Sequence, residues 1–163
     1  MTTRIICAAA AALLPVLVAH AADPPQVREG LWEIHSTSTE NPGSKTTEIV
    51  YRLCRDHAYD KAVLEAAKST KGCTSAIKSL GGTKFSADSQ CAIEGAQIKS
   101  MGTASYQGDT AMHSETRTTY TPGFNGKTDE VMVQDQKFLG ACPAGMQPGD
   151  QMTPEGRILH PGH

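Results

Sequence analysis

GCTSAIKSLGGTKFSADSQC, running from Gly72 to Cys91, contains its own turn and its own covalent staple. Strand-compatible residues flank Gly81-Gly82, and a glycine pair signals a hairpin because both residues accept positive φ without a steric penalty. A three-residue loop over Gly81, Gly82 and Thr83 sets Leu80 opposite Lys84. Counted outwards, that register brings Cys73 opposite Cys91, so the turn predicts a disulfide. The stretch speaks to fold and compartment more than to chemistry.

The start of the chain points to export. A short basic segment with Arg4, an apolar run from Ile5 to Val18 and the small-residue pattern Ala19-His20-Ala21 fit a secretory signal peptide over residues 1–21, cleaved near Ala21. The competing reading is an uncleaved anchor, but the run is short for a span. Nothing later approaches the ~20 apolar residues a membrane helix needs, so no membrane span is expected after processing. Cys7 precedes most of the apolar run, whereas a lipoprotein cysteine must follow the cleavage site, so lipidation is not expected.

Four cysteines follow the leader: Cys54, Cys73, Cys91 and Cys142. An even count in an exported chain reads as two disulfides. The hairpin register selects Cys73 with Cys91, which leaves Cys54 with Cys142. A thiolate metal site is the alternative use, but no Cys-x-x-Cys occurs and the spacings match no zinc framework.

Without residues 1–21 the chain keeps 14 Lys+Arg against 17 Asp+Glu, a balance that supplies no basic patch for nucleic acid. The remaining length makes one domain, over residues 22–142, followed by a Pro/Gly-rich tail over 143–163 that shows no periodicity and is expected to be ordered only in part. One tryptophan, three phenylalanines and four tyrosines leave little core material, which makes covalent staples useful.

Trp32, Ile34, Ser36 and Ser38 alternate with Glu33, His35 and Thr37, as a half-buried strand does. Asn41-Pro42-Gly43 marks a turn, and Lys45 to Cys54 returns as the second arm of a hairpin. Asp56 can then cap a helix with Tyr59, Ala62, Val63, Ala66 and Ala67 at helical spacing, a narrow alanine-rich face suited to packing on a sheet. Beyond the stapled hairpin, strands are expected over residues 94–106, 110–121 and 127–139, joined by short turns as an antiparallel meander. One face of the 110–121 strand carries Met112, Ser114, Thr116, Thr118 and Tyr120.

Gly30-Leu31-Trp32-Glu33, the four spaced cysteines, the Tyr106 to Asp109 turn and Leu139-Gly140-Ala141-Cys142 occur in an order that resembles domain of unknown function family 3617, small exported proteins of Gram-negative bacteria. The resemblance covers about residues 27–142. It implies a signal peptide, a periplasmic location, paired cysteines and no assigned activity or cofactor.

No Gly-x-Ser-x-Gly elbow, phosphate loop, His-Glu-x-x-His or dinucleotide fingerprint is present, so no catalytic residue and no cofactor are assigned. Glu33 with His35, and His113 with Glu115, are the best acid–base candidates, but alternation places both pairs on solvated faces. Cys54-Arg55-Asp56-His57 serves a disulfide and a helix start better than a metal. His160 and His163, with Met146 and Met152 upstream, offer donors that a periplasmic copper handler would use. The Met112–Tyr120 face is too rich in hydroxyls to fill a core densely. Either the helix packs on it, or a curved sheet leaves a partly polar pocket in which Trp32, Met112 and Tyr120 meet a ligand.

The expected fold is mainly antiparallel β: a strongly curved meander or half-open barrel of about seven strands, with one packed helix and two disulfides. The expected function is a non-enzymatic binding or accessory module for a small apolar ligand or a partner protein, with periplasmic metal handling as the alternative.

Overall fold

Asp56 decides where the second strand ends. Its carboxylate accepts a 2.7 Å hydrogen bond from the Tyr59 amide, satisfying a donor that every helix start leaves open, and helix α1 (His57–Ser69) begins there. The computed structural model describes residues 23–161, so the expected signal peptide and His163 lie outside the described residues. The strands are β1 (Gly30–Asn41), β2 (Lys45–Arg55), β3 (Cys73–Gly81), β4 (Lys84–Ile93), β5 (Ala96–Gln107), β6 (Ala111–Phe124) and β7 (Lys127–Gly140). Two-residue strands β8 (Gln151–Met152) and β9 (Ile158–Leu159) follow.

All pairings are antiparallel, in the order β3-β4-β5-β6-β7-β1-β2-β8-β9. The expected meander therefore runs from β3 to β7, which then pairs with β1 of the first hairpin. The sheet is not closed. Seven long strands match the expectation, and the tail adds β8 and β9.

Both disulfides form as the hairpin register predicts, Cys73–Cys91 with a Cα separation of 4.0 Å and Cys54–Cys142 with 5.6 Å. Only the turn differs. Leu80 bulges out and Gly81 pairs with Lys84, which shortens the loop to Gly82-Thr83. Gly81 and Gly82 both have positive φ, and a tight loop of that hand suits the twist of the flanking strands.

The sheet rolls towards the face that carries Trp32. Tyr106 on β5 and Arg55 on β2 stand four strands apart in the order, about 19 Å on a flat sheet. Yet Arg55 and Asp60 both bias the ionisation of the Tyr106 hydroxyl, which burial pushes up first. Helix α1 starts directly after β2 and leads through a three-residue link into β3, which stands at one end of the order, so its 13 residues bridge two strands with five others between them. Alternation agrees: Met112, Ser114, Thr116, Thr118 and Tyr120 are half-buried, whereas Glu115, Arg117 and Thr119 are exposed.

The helix does not fill the interior of this roll. With residues 23–161 in place none of its side chains is buried, and Val63 is 50% exposed. Its apolar face is mostly alanine, too short to reach the sheet, so its first turn fixes it instead. The His57 ring bonds the Val27 carbonyl at 3.0 Å, Asp60 pairs with Arg55 at 2.8 Å, and the Tyr59 ring packs beside Gly149.

Burial concentrates where β1 begins. Among the described residues Val27, Leu31, Trp32, Ile34, Leu53, Cys54 and Met146 are buried there, against Ala96 alone on the β3–β5 side. Leu31, Cys54 and Met146 form one cluster, joined by Cys142, Met152 and Ile158. The tail is thus more structured than its aperiodic sequence suggests. Asp150, fully buried, accepts the Gln147 amide at 2.7 Å and faces the His160 ring at 2.8 Å, because a buried carboxylate must be compensated. Its main chain pairs with Cys54.

Candidate functional site

The inner face of the roll reads as three zones along the strands. In the first, at the start of β1, Trp32 is fully buried. Its indole N–H donates to the Arg28 carbonyl at 2.8 Å, Phe138 meets it edge-on, and the Arg55 guanidinium lies 5.3 Å from its ring centre. Arg55 also donates to Gln136 at 3.1 Å. Phe85 and Tyr106 add a second edge-to-face pair. The segment before β1 crosses this end, held by the Arg28–Asp109 ion pair at 3.0 Å and by the Arg28 amide on the Asp109 carbonyl.

Gly30 makes that crossing possible. Its φ is +138°, and a Cβ there would sit 2.2 Å from the Gly140 carbonyl oxygen. The close approach coincides with the irregular pairing in which Leu31 faces Gly140 and Trp32 faces Phe138. Leu31 and Trp32 are therefore buried on opposite faces of the sheet.

The middle zone is polar. Register aligns Ser36 with Gln134 and Ser114, and Thr116 with Met132. Gln134 donates to Ser36 at 3.4 Å, and the Ser100 and Thr118 hydroxyls are 2.9 Å apart. These side chains are half-buried, apart from the buried Ser36.

The third zone surrounds Tyr120. Its hydroxyl donates to Glu130 at 3.1 Å, and its ring stacks with Phe124. Glu130 also accepts from Ser38 and pairs with Lys127 at 3.3 Å. The Ser38 hydroxyl, followed by Tyr120 and Lys127, holds the Glu130 carboxyl below its usual range against a burial effect of opposite sign. Burial, followed by Glu130, pushes the Tyr120 hydroxyl up.

Trp32, Met112 and Tyr120 thus share one face but do not converge. Trp32 stands level with Phe138, while Tyr120 bonds Glu130, eight residues away along β7 and about 26 Å at strand rise. Met112 faces Gln136 and Tyr106, near the Trp32 end. Sequence reading missed Gln134, Gln136, Glu130 and Arg55. The alternation of β7 carried the signal for the first three, but a run of amides and acids gave no reason to turn that face inward.

The outer face brings together the acid–base candidates. Asp135 lies in register with both His113 and His35. His113 bonds Asp135 at 2.7 Å and Glu115 at 3.4 Å, while His35 turns to Glu33 at 3.3 Å and Glu33 pairs with Arg52 at 3.3 Å. Asp135 chiefly raises the His113 pKa, and His35 followed by Arg52 lowers that of Glu33. Among the described residues the side-chain partners of both histidines are carboxylates, Glu33 for His35 and Asp135 with Glu115 for His113. Among the described residues no three His, Cys, Asp or Glu side chains converge on a metal position. Of the tail donors, Met146 and Met152 belong to the packed cluster, and His160 faces Asp150.

No helix among the described residues is long and apolar enough to cross a membrane. Residues 27–142 match the model of the family described as Protein of unknown function (DUF3617), and the chain belongs to that family. No curated protein matches the chain.

Proposed function

We propose that this DUF3617 protein is a non-enzymatic binding module of the periplasm, which receives a small amphipathic ligand on the inner face of its rolled sheet. The carrying observation is the polar row of the buried Ser36 with the half-buried Gln134 and Ser114 on the inner face, in a fold whose helix α1 buries none of its own side chains. Aromatic groups at both ends with hydroxyls and amides between them suit a ligand with an apolar body and a neutral polar group. Two disulfides fit an oxidising compartment, and the leader sequence supports export.

The test is an amide-resolved NMR titration of the mature, oxidised protein with n-octyl glucoside below its micelle concentration. Saturable shifts at Ser36, Ser114, Thr116 and Gln134 are expected, and Ser114→Leu, which fills the middle zone, should abolish them. Absence of saturable shifts on this face would overturn the reading. Native mass spectrometry of protein taken from the periplasm then identifies a natural occupant, whether a small molecule or a partner protein.

A further inference from the structure

The opposite face of the sheet carries a second concavity that the inner-face reading leaves unused. A trough of about 520 Å³ runs across β3 to β6, within the size range of small-molecule sites. Pairing of β5 with β6 sets Lys99 opposite Thr119 and Met101 opposite Arg117, and β4 places Gln90 and Asp88 in the same two rows. Lys99 and Arg117 are therefore diagonal neighbours on one face.

Among the described residues neither cation has an ionic or side-chain hydrogen-bonding partner. Asp88, the acid in the trough, is taken by Lys78 at 3.8 Å. Like charges on neighbouring strands repel, so over β3 to β6 these two rows carry a positive excess that an anion would neutralise, while Asp129, next to Thr119 on β7 and outside the trough, accepts from the Asn41 amide. Between the cations Met101 is 63% exposed, an apolar, adaptable side chain.

We propose that this trough binds the phosphate group of a small soluble amphiphile, with Arg117 and Lys99 on the phosphate oxygens and the apolar part laid along Met101. A guanidinium supplies a planar fork of donors and an ammonium a compact point charge, a pair suited to a phosphate dianion more than to a carboxylate. Thr119 supplies a hydroxyl beside Lys99.

The test titrates the mature, disulfide-bonded protein with n-octyl phosphate below its micelle concentration, followed by amide NMR and calorimetry. Saturable shifts should centre on Lys99, Met101, Arg117 and Thr119, and affinity should fall as salt rises. The double variant K99Q/R117Q should bind at least tenfold more weakly while keeping a dispersed spectrum and an unchanged response to n-octyl glucoside. Met101→Ser should weaken n-octyl phosphate and leave inorganic phosphate unaffected. Equal affinity in K99Q/R117Q would overturn the proposal. So would shifts by n-octyl phosphate confined to the inner face, or a response to phosphatidylglycerol vesicles without one to n-octyl phosphate. Because the two probes share a tail and differ in headgroup, failure here is distinguishable from failure of the inner-face reading.

Discussion

The two ends of the strand order are held together by different means. Around β7, β1 and β2, side chains are buried on both faces: Trp32 and Ile34 inward, Leu31 and Cys54 outward against Met146 and the tail. Across β3, β4 and β5, Ala96 is the one buried side chain among the described residues, and the strands are held by their ladder, by a glycine turn and by the Cys73–Cys91 bridge. Packing stabilises the first region and pairing geometry the second. The inner-face site spans the boundary, with Ser36 and Gln134 on the packed strands β1 and β7 and Ser114 on β6, whereas the outer trough lies over the thinly packed side, from β3 to β6.

The sharpest way to break this contrast is Gly30→Ala. The added carbon meets a carbonyl oxygen at 2.2 Å on backbone at φ +138°, so a loss of about 3 kcal/mol or more is expected in chemical denaturation. Trp32→Ala should cost a similar ~3–5 kcal/mol, as large-to-small core changes do. Phe85→Ala, on the thin side, should cost distinctly less. Equal losses for Trp32→Ala and Phe85→Ala would erase the distinction.

The disulfides sharpen it further. Chain-entropy arithmetic assigns about 4.6 kcal/mol to a bridge closing 88 residues and about 3 kcal/mol to one closing 18. Replacing Cys54 and Cys142 together by alanine should lower the midpoint more than replacing Cys73 and Cys91, the more so because Cys54 lies in the packed cluster. The reverse ranking would place the stabilising weight in the hairpin.

Smaller effects mark the boundary between the regions. Asp56→Ala removes the helix cap and should cost about 1 kcal/mol, read as lost helical signal with little change in the sheet. On the outer face, Asp135 raises the His113 pKa. The stability this supplies is complete below the unfolded value of ~6.5 and is lost as pH rises through the raised folded value. His113 is 39% exposed, so the contribution is under about 1 kcal/mol. The melting-temperature gap between the native protein and His113→Asn should be wider at pH 5.5 than at pH 8.5. An unchanged gap would show that the Asp135 contact is not maintained in solution.

Much of this was legible in the sequence because it depended on local counting. A glycine pair fixed the strand register and with it both bridges, since period-two geometry leaves no freedom once the turn is placed. Strand alternation separated Met112–Tyr120 from His113–Thr119. Leu80 escaped, because a bulge at the turn shifts one residue without disturbing the ladder beyond it. The tail escaped because single anchors, Met146 and Asp150, hold it and have no period. The inner zones escaped for a third reason: which residues meet across a rolled sheet depends on pairings such as Arg55 over Trp32, made between the end of one strand and the start of another. Lys99 and Arg117 lie on separate strands and become neighbours only through the register of β5 on β6.

Native-state hydrogen exchange resolved by strand measures the difference between the two regions most directly. Protection in β1, β2 and β7 should approach the global unfolding free energy, while β3 and β4 open at lower cost and the difference widens once Cys73 and Cys91 are replaced. Protection in β3 and β4 equal to that of β1, with or without their bridge, would contradict a molecule built from one packed region and one held by strand pairing and a disulfide.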